Sequence, residues 1–361
     1  MLDRLLSHDR PCNRWLALVL VLIVVGLALT PFIFPGTKAL NVAAKIIVFI
    51  VLAASFDLLL GYTGIVSFAH TMFFGIGAYG IAIASTRLGP TWGALALGAL
   101  AALALSAVLS FLIGLFSLRV KAIFFAMITL AVASAFLTLA SQLSEFTGGE
   151  DGLTFKMPAA LQPGTEYASG PFLGASIDGR FLTYYLLFAV ALVLVLALLR
   201  IVNSPFGRVL QAIRENDFRA EAIGYRTVVY RTIASVASAL FATLAGVLLA
   251  LWLRYNGPDT TLSFEIMLDV LLIVVIGGMG TIYGAVVGSV LLVLAQNYLQ
   301  DLMKVGAESV QNIPIVSQIV SPDRWLLWLG ILFVLSVYYF PNGVVGRLRA
   351  MRRRPPAAGR R

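Results

Sequence analysis

A run of about 20 apolar residues, long enough at about 1.5 Å per residue to cross a bilayer core, leaves a chain few options. In lipid every backbone N–H and C=O must find its partner inside the protein, so such a run folds as a helix. This sequence holds ten stretches that meet or approach that description: residues 15–34, 39–60, 64–86, 91–118, 122–142, 181–199, 232–253, 264–280, 282–299 and 325–340. They fill most of the 361 residues. The fold class read from them is all-α, a polytopic transmembrane helical bundle. The glycine-rich regions 64–86 and 277–288 either span or are broken and re-entrant, so the expected count is eight to ten. Composition agrees: 60% of residues are hydrophobic and 12% charged, against about a quarter charged in a soluble domain. No soluble domain is expected beside the membrane one. The first run is expected to be a retained anchor, because it exceeds a signal core and no small-residue cleavage site follows it.

Charge placement sets the expected orientation. The net charge is +9. Arg4, Arg10 and Arg14 precede the first run, six basic residues lie between Arg200 and Arg231, and seven lie from Arg347 to Arg361. Lys and Arg accumulate in cytoplasmic segments beside spans. An even number of spans with both termini in the cytoplasm brings all three groups there together. Residues 1–14 are then a cytoplasmic segment, 15–340 the transmembrane domain, 203–231 a cytoplasmic segment and 341–361 a basic cytoplasmic tail. The 143–180 loop falls outside, with Glu145, Glu150, Asp151, Glu166 and Asp178 against Lys156 and Arg180. The basic groups are read as orientation signals that meet anionic membrane lipid, not as a nucleic-acid footprint. Cys12 is the sole cysteine and His8 and His70 the sole histidines, so neither an intrachain disulfide nor a metal site is expected.

The segment 203–231 reads NSPFGRVLQAIRENDFRAEAIGYRTVVYR. Ser204 and Pro205 suit a helix start. Val209, Leu210, Ile213 and Phe218 approximate one helical stripe, and Gly224 suits a helix end. One short amphipathic helix is expected, its small residues Ala220, Ala222 and Gly224 open to close approach and its charged residues Arg214, Glu215, Asp217 and Glu221 at the rim. An interfacial helix resting on lipid is the plainer reading of the same pattern.

Two glycine-dense stretches give the halves a loose likeness: GYTGIVSFAHTMFFGIGAYG from Gly61 and IGGMGTIYGAVVG from Ile276. Gly280, Gly284 and Gly288 are four apart and are expected on one helix face, where small residues let helices pack backbone to backbone. Gly75, Gly77 and Gly80 are expected either to pack in the same way or to mark a broken helix that exposes backbone to a solute path. Ionisable residues inside apolar runs are costly and face the bundle interior or water; here they are Lys45, Asp57, His70, Glu265 and Asp269. Asp57 lies near a span end and is expected to reach the interface. Glu265 and Asp269 share a face that lines a vestibule or sits at its rim. His70, beside Ser67 and Thr71, is either a hydrogen-bonded packing residue or part of a proton relay. Thr63, Ser67, His70, Glu265 and Asp269 are the candidates for a translocation path. No G-x-x-x-x-G-K-[ST] occurs, and Gly36-Thr37-Lys38 lacks the upstream glycine, so ATP binding would fall to another chain.

With these residues in view, the chain resembles the permease subunits of branched-chain amino acid (LIV-type) ABC importers, specifically the longer of their two paired membrane subunits. Urea and amide permeases are close relatives. The likeness rests on Glu221-Ala222-Ile223-Gly224 preceded by AIREND, similar to an EAA-type coupling loop. It rests also on the Gly61–Gly80 signature, TGGEDGL at 147–153 and VVIGGMGTIYGAVVG at 274–288. It runs from about residue 40 to 339. The resemblance implies that Arg214, Glu215, Asn216, Glu221, Ala222 and Gly224 couple to an ATPase. It implies a second permease subunit, two cytoplasmic ATPase subunits carrying ATP and Mg, and a periplasmic solute-binding protein as partners. No cofactor is expected on this chain. It also implies a bacterial inner membrane and small amino acids or amides as solutes, without naming one. An ion-coupled secondary transporter using Asp57, His70, Glu265 and Asp269 is the alternative, and it leaves the 203–231 segment without a role. A membrane enzyme lacks an acid–base set, since Ser67 and His70 have no orienting acid.

Overall fold

The computed structural model describes residues 14–34, 36–117, 122–167, 177–309, 324–340 and 343–350. The expectations for residues 1–13 and for most of the 341–361 tail lie outside that set. The long helices in chain order are α1 (Arg14–Ile33), α2 (Thr37–Thr63), α3 (His70–Leu88), α4 (Trp92–Ser117), α5 (Ala122–Gln142) and α6 (Gly179–Val202). Two short helices follow, α7 (Pro205–Glu215) and α8 (Asp217–Ala222). Then come α9 (Thr227–Leu253), α10 (Phe264–Gly277), α11 (Ile282–Ser309), α12 (Trp325–Tyr339) and α13 (Gly343–Ala350). Among the described residues the one sheet is an antiparallel pair of two-residue strands, β1 (Leu153–Thr154) and β2 (Tyr255–Asn256). The fold is an all-α polytopic bundle.

Helix burial divides the bundle into a centre and a rim. The α2 span is 94% buried, against 17% for α1 and 22% for α4. The rim helices carry exposed Leu22, Leu100 and Met127. In water such apolar area would drive association; in a bilayer it is the lipid face. Among the described residues nine helices are long and apolar enough to cross a membrane. α3, which covers most of one expected stretch, is not among the nine. It lies in the centre, packed along α9 and α4, so its residues answer to neighbouring helices and not to lipid. Small and polar side chains therefore replace the large apolar ones.

Close approach at the centre is extreme. A Cβ on Gly77 would lie 1.9 Å from the Thr243 carbonyl oxygen of α9, and one on Gly246 would lie 1.8 Å from the Phe74 carbonyl oxygen of α3. Between lipid-solvated helices the hydrophobic effect gives little attraction, so such contact and hydrogen bonds hold them. Thr243 Oγ1 donates to Ser106 Oγ at 2.6 Å. At the rim, the Tyr184 and Tyr185 hydroxyls of α6 donate to the Leu27 and Ala28 carbonyls of α1, each at 2.6 Å.

Of the two readings of Gly75, Gly77 and Gly80 the structure takes packing, and one expectation about Gly280 changes. α3 runs unbroken through Gly75, Gly77 and Gly80, because each sits where another element crosses: Leu262, Thr243 and Gly98 respectively. Gly280 does not share a helix face with Gly284 and Gly288. It lies in the turn between α10 and α11 with φ +80°, a conformation glycine adopts without steric cost. Gly288 does pack on α10, where its Cβ would meet the Ile273 carbonyl oxygen at 2.1 Å.

The breaks lie elsewhere. Residues 64–69 separate α2 from α3 without helix. His70 at the start of α3 meets Ser238, which is eleven residues into α9, about 16 Å along it. The break therefore carries the chain into the interior. From the opposite end, residues 254–263 fold back from α9 through β2 and the single turn Pro258–Thr261. The two segments converge: Leu262 abuts Gly75, and the Phe68 and Phe264 rings are 6.0 Å apart. Irregular backbone at membrane depth survives only when wrapped in protein, and Ile65, Ala69, Asn256 and Leu262 are all buried.

Gly77→Ala is expected to destabilise the protein by about 1–3 kcal/mol through overpacking against backbone. Gly26→Ala, with nothing within 4 Å of its Cβ, is expected to be neutral or to stabilise through helix propensity. Thermal unfolding in detergent compares them, and equal midpoints would contradict the packing argument.

Candidate functional site

The polar arm between α6 and α9 is built from local rules. Ser204 Oγ accepts from Gly207 N–H, and Pro205 opens α7. A Cβ on Gly207 would lie 2.0 Å from the Val202 carbonyl oxygen, so the arm folds tightly back on α6. Gly207, Leu210 and Ile213 face inward and are buried. The single helix expected here is two. Asn216 is extended, at φ −159° and ψ 101°, and its side chain accepts from Arg219 N–H at 2.8 Å to begin α8.

That break redirects the side chains. Leu210 and Ile213 are buried, but Phe218, expected on their stripe, is 83% exposed, and Ile223 is 70% exposed. Ala220 packs inward at 2% exposure and is not offered to a partner, whereas Glu215, Ala222 and Gly224 are exposed. Two contacts pin α8 to the first turns of α9: Asp217 pairs with Arg231 at 2.8 Å, and Thr227 Oγ1 donates to Glu221 Oε1 at 2.6 Å. The outer face of the arm is thus a ridge of two bare apolar side chains set among charges. Sequence reasoning missed that role for Phe218 and Ile223, because exposure depended on the Asn216 break.

Arg214 turns the other way. Its Nη1 donates to the Gly61 carbonyl in the last turn of α2. A Cβ on Gly61 would overlap both Asp57 Oδ1 and the Gly280 nitrogen. Asp57, expected to reach the interface, is fully buried and accepts from Gly280 N–H at 2.8 Å. Its buried position follows from the α10–α11 turn closing over the end of α2. The arm, the end of α2 and that turn therefore form one continuous set of contacts.

The five path candidates divide into two groups. Thr63, Ser67 and His70 are buried in protein. Thr63 Oγ1 donates to the Leu59 carbonyl. His70 lies between Ser67 and Ser238, with Nε2 2.7 Å from Ser238 Oγ, which in turn donates to the Ser55 carbonyl. The ring also meets Phe56 edge-on at 5.0 Å. His70 thus ties α2, α3 and α9 together. Glu265 and Asp269 instead line an open cleft of about 660 Å³ at the end opposite the arm, together with Lys45, Asn41, Trp252 and Asn297. Asp269 Oδ1 accepts from Gln296 at 2.7 Å, and Trp252 Nε1 donates to Asn41 Oδ1 at 3.2 Å. Asn41, Trp252 and Gln296 escaped sequence reasoning because they lie on three different helices. Among the described residues no cluster of His, Cys, Asp and Glu suits a metal ion.

A family model described as branched-chain amino acid transport system / permease component matches residues 38–337. Relatives in Salmonella typhimurium and Escherichia coli, each described as a high-affinity branched-chain amino acid transport system permease protein LivM, are each 26% identical over 345 residues. Those alignments cover 92% of this chain and 75% of the relative. A probable branched-chain amino acid transport permease protein LivM of Methanocaldococcus jannaschii is 26% identical over 250 residues, covering 68% of this chain and 67% of its own. No solved structure matches.

Asp57→Ala leaves the Gly280 N–H without its acceptor and is expected to cost about 1–3 kcal/mol, while Asp57→Asn keeps an acceptor and most of the stability. Thermal unfolding in detergent ranks the two. Ser204→Ala is expected to cost about 1 kcal/mol as a lost cap and to speed amide exchange at Gly207.

Proposed function

The chain belongs to the family of branched-chain amino acid transport permease components, and from that premise we propose that it is a permease subunit of an ATP-binding-cassette importer for small amino acids. The observation that carries this reading is the arm. Its inner face is bonded to the bundle through Arg214 and Gly61, and its outer face presents Phe218 and Ile223 bare. A surface tied on one side and sticky on the other suits the transmission of force from a docked partner.

In this reading a second permease subunit completes the path, and two cytoplasmic ATPase subunits bind ATP and Mg and seat on the arms. A solute-binding protein delivers cargo at the opposite end. The arm, residues 203–231, lies in the cytoplasm with both termini, including residues 1–14 and 341–361. The 143–180 loop lies outside a bacterial inner membrane. The clustering of basic residues on the arm supports this orientation. Glu215, Asn216, Glu221, Ala222 and Gly224 shape the docking face, and Gly224 at φ +95° sets the turn that brings Ile223 outward.

Closure of the ATPase pair would move α7 and α8. Arg214 would pass that motion to the end of α2, and the Asp57–Gly280 bond would pass it to the α10–α11 turn. Both helices so moved, α2 and α10, border the breaks at 64–69 and 254–263, the first without helix and the second holding only a two-residue strand and the single helical turn Pro258–Thr261, where backbone can flex without breaking a long helix. Alternating access then amounts to re-angling at those two segments. Asp57 and His70 serve in the reading as ties between helices, which weighs against an ion-coupled carrier.

The double variant Glu221→Ala/Gly224→Val is expected to insert in the membrane normally, yet to lose co-purification with the ATPase subunits or to lower amino-acid uptake at least about tenfold. Unchanged uptake together with unchanged assembly would refute the coupling role.

A further inference from the structure

We propose that the cleft between α2, α9, α10 and α11 binds the zwitterionic head of an aliphatic α-amino acid, with Lys45 taking the carboxylate and Asp269, flanked by Glu265, taking the ammonium. This deepens the proposed function and rests on it. It also separates amino acids from urea and neutral amides, which carry no such pair of charges.

Lys45 lies near enough for its charge to act on the Asp269 carboxylate, yet the two do not close into an ion pair. Charged side chains within apolar spans are costly unless they serve a partner or a water-filled cavity. At the rim of the same cleft Lys38 is satisfied by Asp301 at 2.6 Å. Lys45 is deeper and joins no ion pair among the described residues; its Nζ lies 5.3 Å from the Phe49 ring centroid. Asp269 receives one neutral hydrogen bond, from Gln296 to Oδ1, and its second oxygen has no donor among the described residues. A cation and a carboxylate thus line one cavity while each keeps capacity for a further charged partner.

Chemical fit points to the same ligand. The ammonium and carboxylate of an α-amino acid hang on a single carbon, so a site for them needs both signs of charge within one small space. Part of the remaining wall, Val42, Leu249, Leu253 and Ile266, suits an aliphatic side chain, and Asp259, Ser263 and Asn297 add polar groups beside it. The volume, about 660 Å³, lies in the range of about 300–1,000 Å³ usual for small-molecule sites. The position of the cleft suits it too. Asp269 is two turns before the end of α10, and that end runs into the turn bonded to Asp57 and reached from Arg214. A ligand held by Asp269 therefore sits on the helix that the arm would move.

The test uses the full chain in lipid nanodiscs and three probes: L-leucine, L-leucinamide without the carboxylate, and 4-methylpentanoate without the ammonium. Calorimetry is expected to show leucine binding about ten- to a hundredfold more tightly than either analogue, the worth of one charge-assisted contact. Lys45→Met should erase the preference over leucinamide and spare that over 4-methylpentanoate. Asp269→Asn should do the reverse. Lys45→Arg, which keeps the charge, should keep both preferences and separates lost recognition from lost fold. The proposal is overturned if both variants retain the wild-type pattern, or if wild type binds all three probes alike or none. Uptake by the complete transporter is read in parallel. ATP-dependent leucine uptake that both variants leave intact removes the site while the permease reading stands. A wild-type transporter that moves no amino acid removes the permease reading itself.

Discussion

Everything in this molecule follows from the need to satisfy backbone polar groups without water. Rim helices meet that need alone, each closing its own hydrogen bonds and turning apolar side chains to lipid. The centre departs from it. Residues 64–69 run without helix into the interior, residues 254–263 hold only a two-residue strand and one helical turn, and such segments persist only under a protein sheath. The bundle supplies the sheath by crowding α2, α3 and α9 until backbone meets backbone at Gly77 and Gly246. The density of small residues in the centre is thus a requirement of the broken path beneath it.

The same economy places the polar contacts. Serine and threonine hydroxyls bridge the central helices, and Asp57 is buried to cap the turn at Gly280. None of these groups reaches water, and each joins elements distant in sequence. The arm ends this chain of contacts. Arg214, a residue that pattern alone would assign to a partner, points inward, and the partner face falls to Phe218 and Ile223. The inner and outer faces of the arm therefore divide two tasks within one stretch of sequence.

The bundle was legible because a lipid-crossing helix leaves a long, unbroken mark in composition, and the ends of α5, α9 and α10 lie within a few residues of those expected. The arm was legible as an element because Ser204, Pro205 and Gly224 are local signals. Its kink was not, since Asn216 acts as a cap only once the preceding helix has stopped. Asp57 and Gly280 were misjudged for a related reason: their roles depend on a contact spanning more than two hundred residues, which no local pattern records. The cleft is a further step removed. Lys45 and Asp269 were visible as costly charges, but only the neighbouring of α2 with α10 and α11 puts them around one space.

The backbone contact between α3 and α9 has a consequence for how such a chain can diverge. At Gly77 and Gly246 no larger side chain fits unless the helices part, so change there is confined to residues without bulk. On α1, α4 and α5 one apolar side chain serves lipid as well as another, and drift costs little. Two proteins descended from this architecture would come to differ almost everywhere on their outer skin while keeping a narrow inner seam of small residues. The seam, and not the overall resemblance, is where their common ancestry would remain readable.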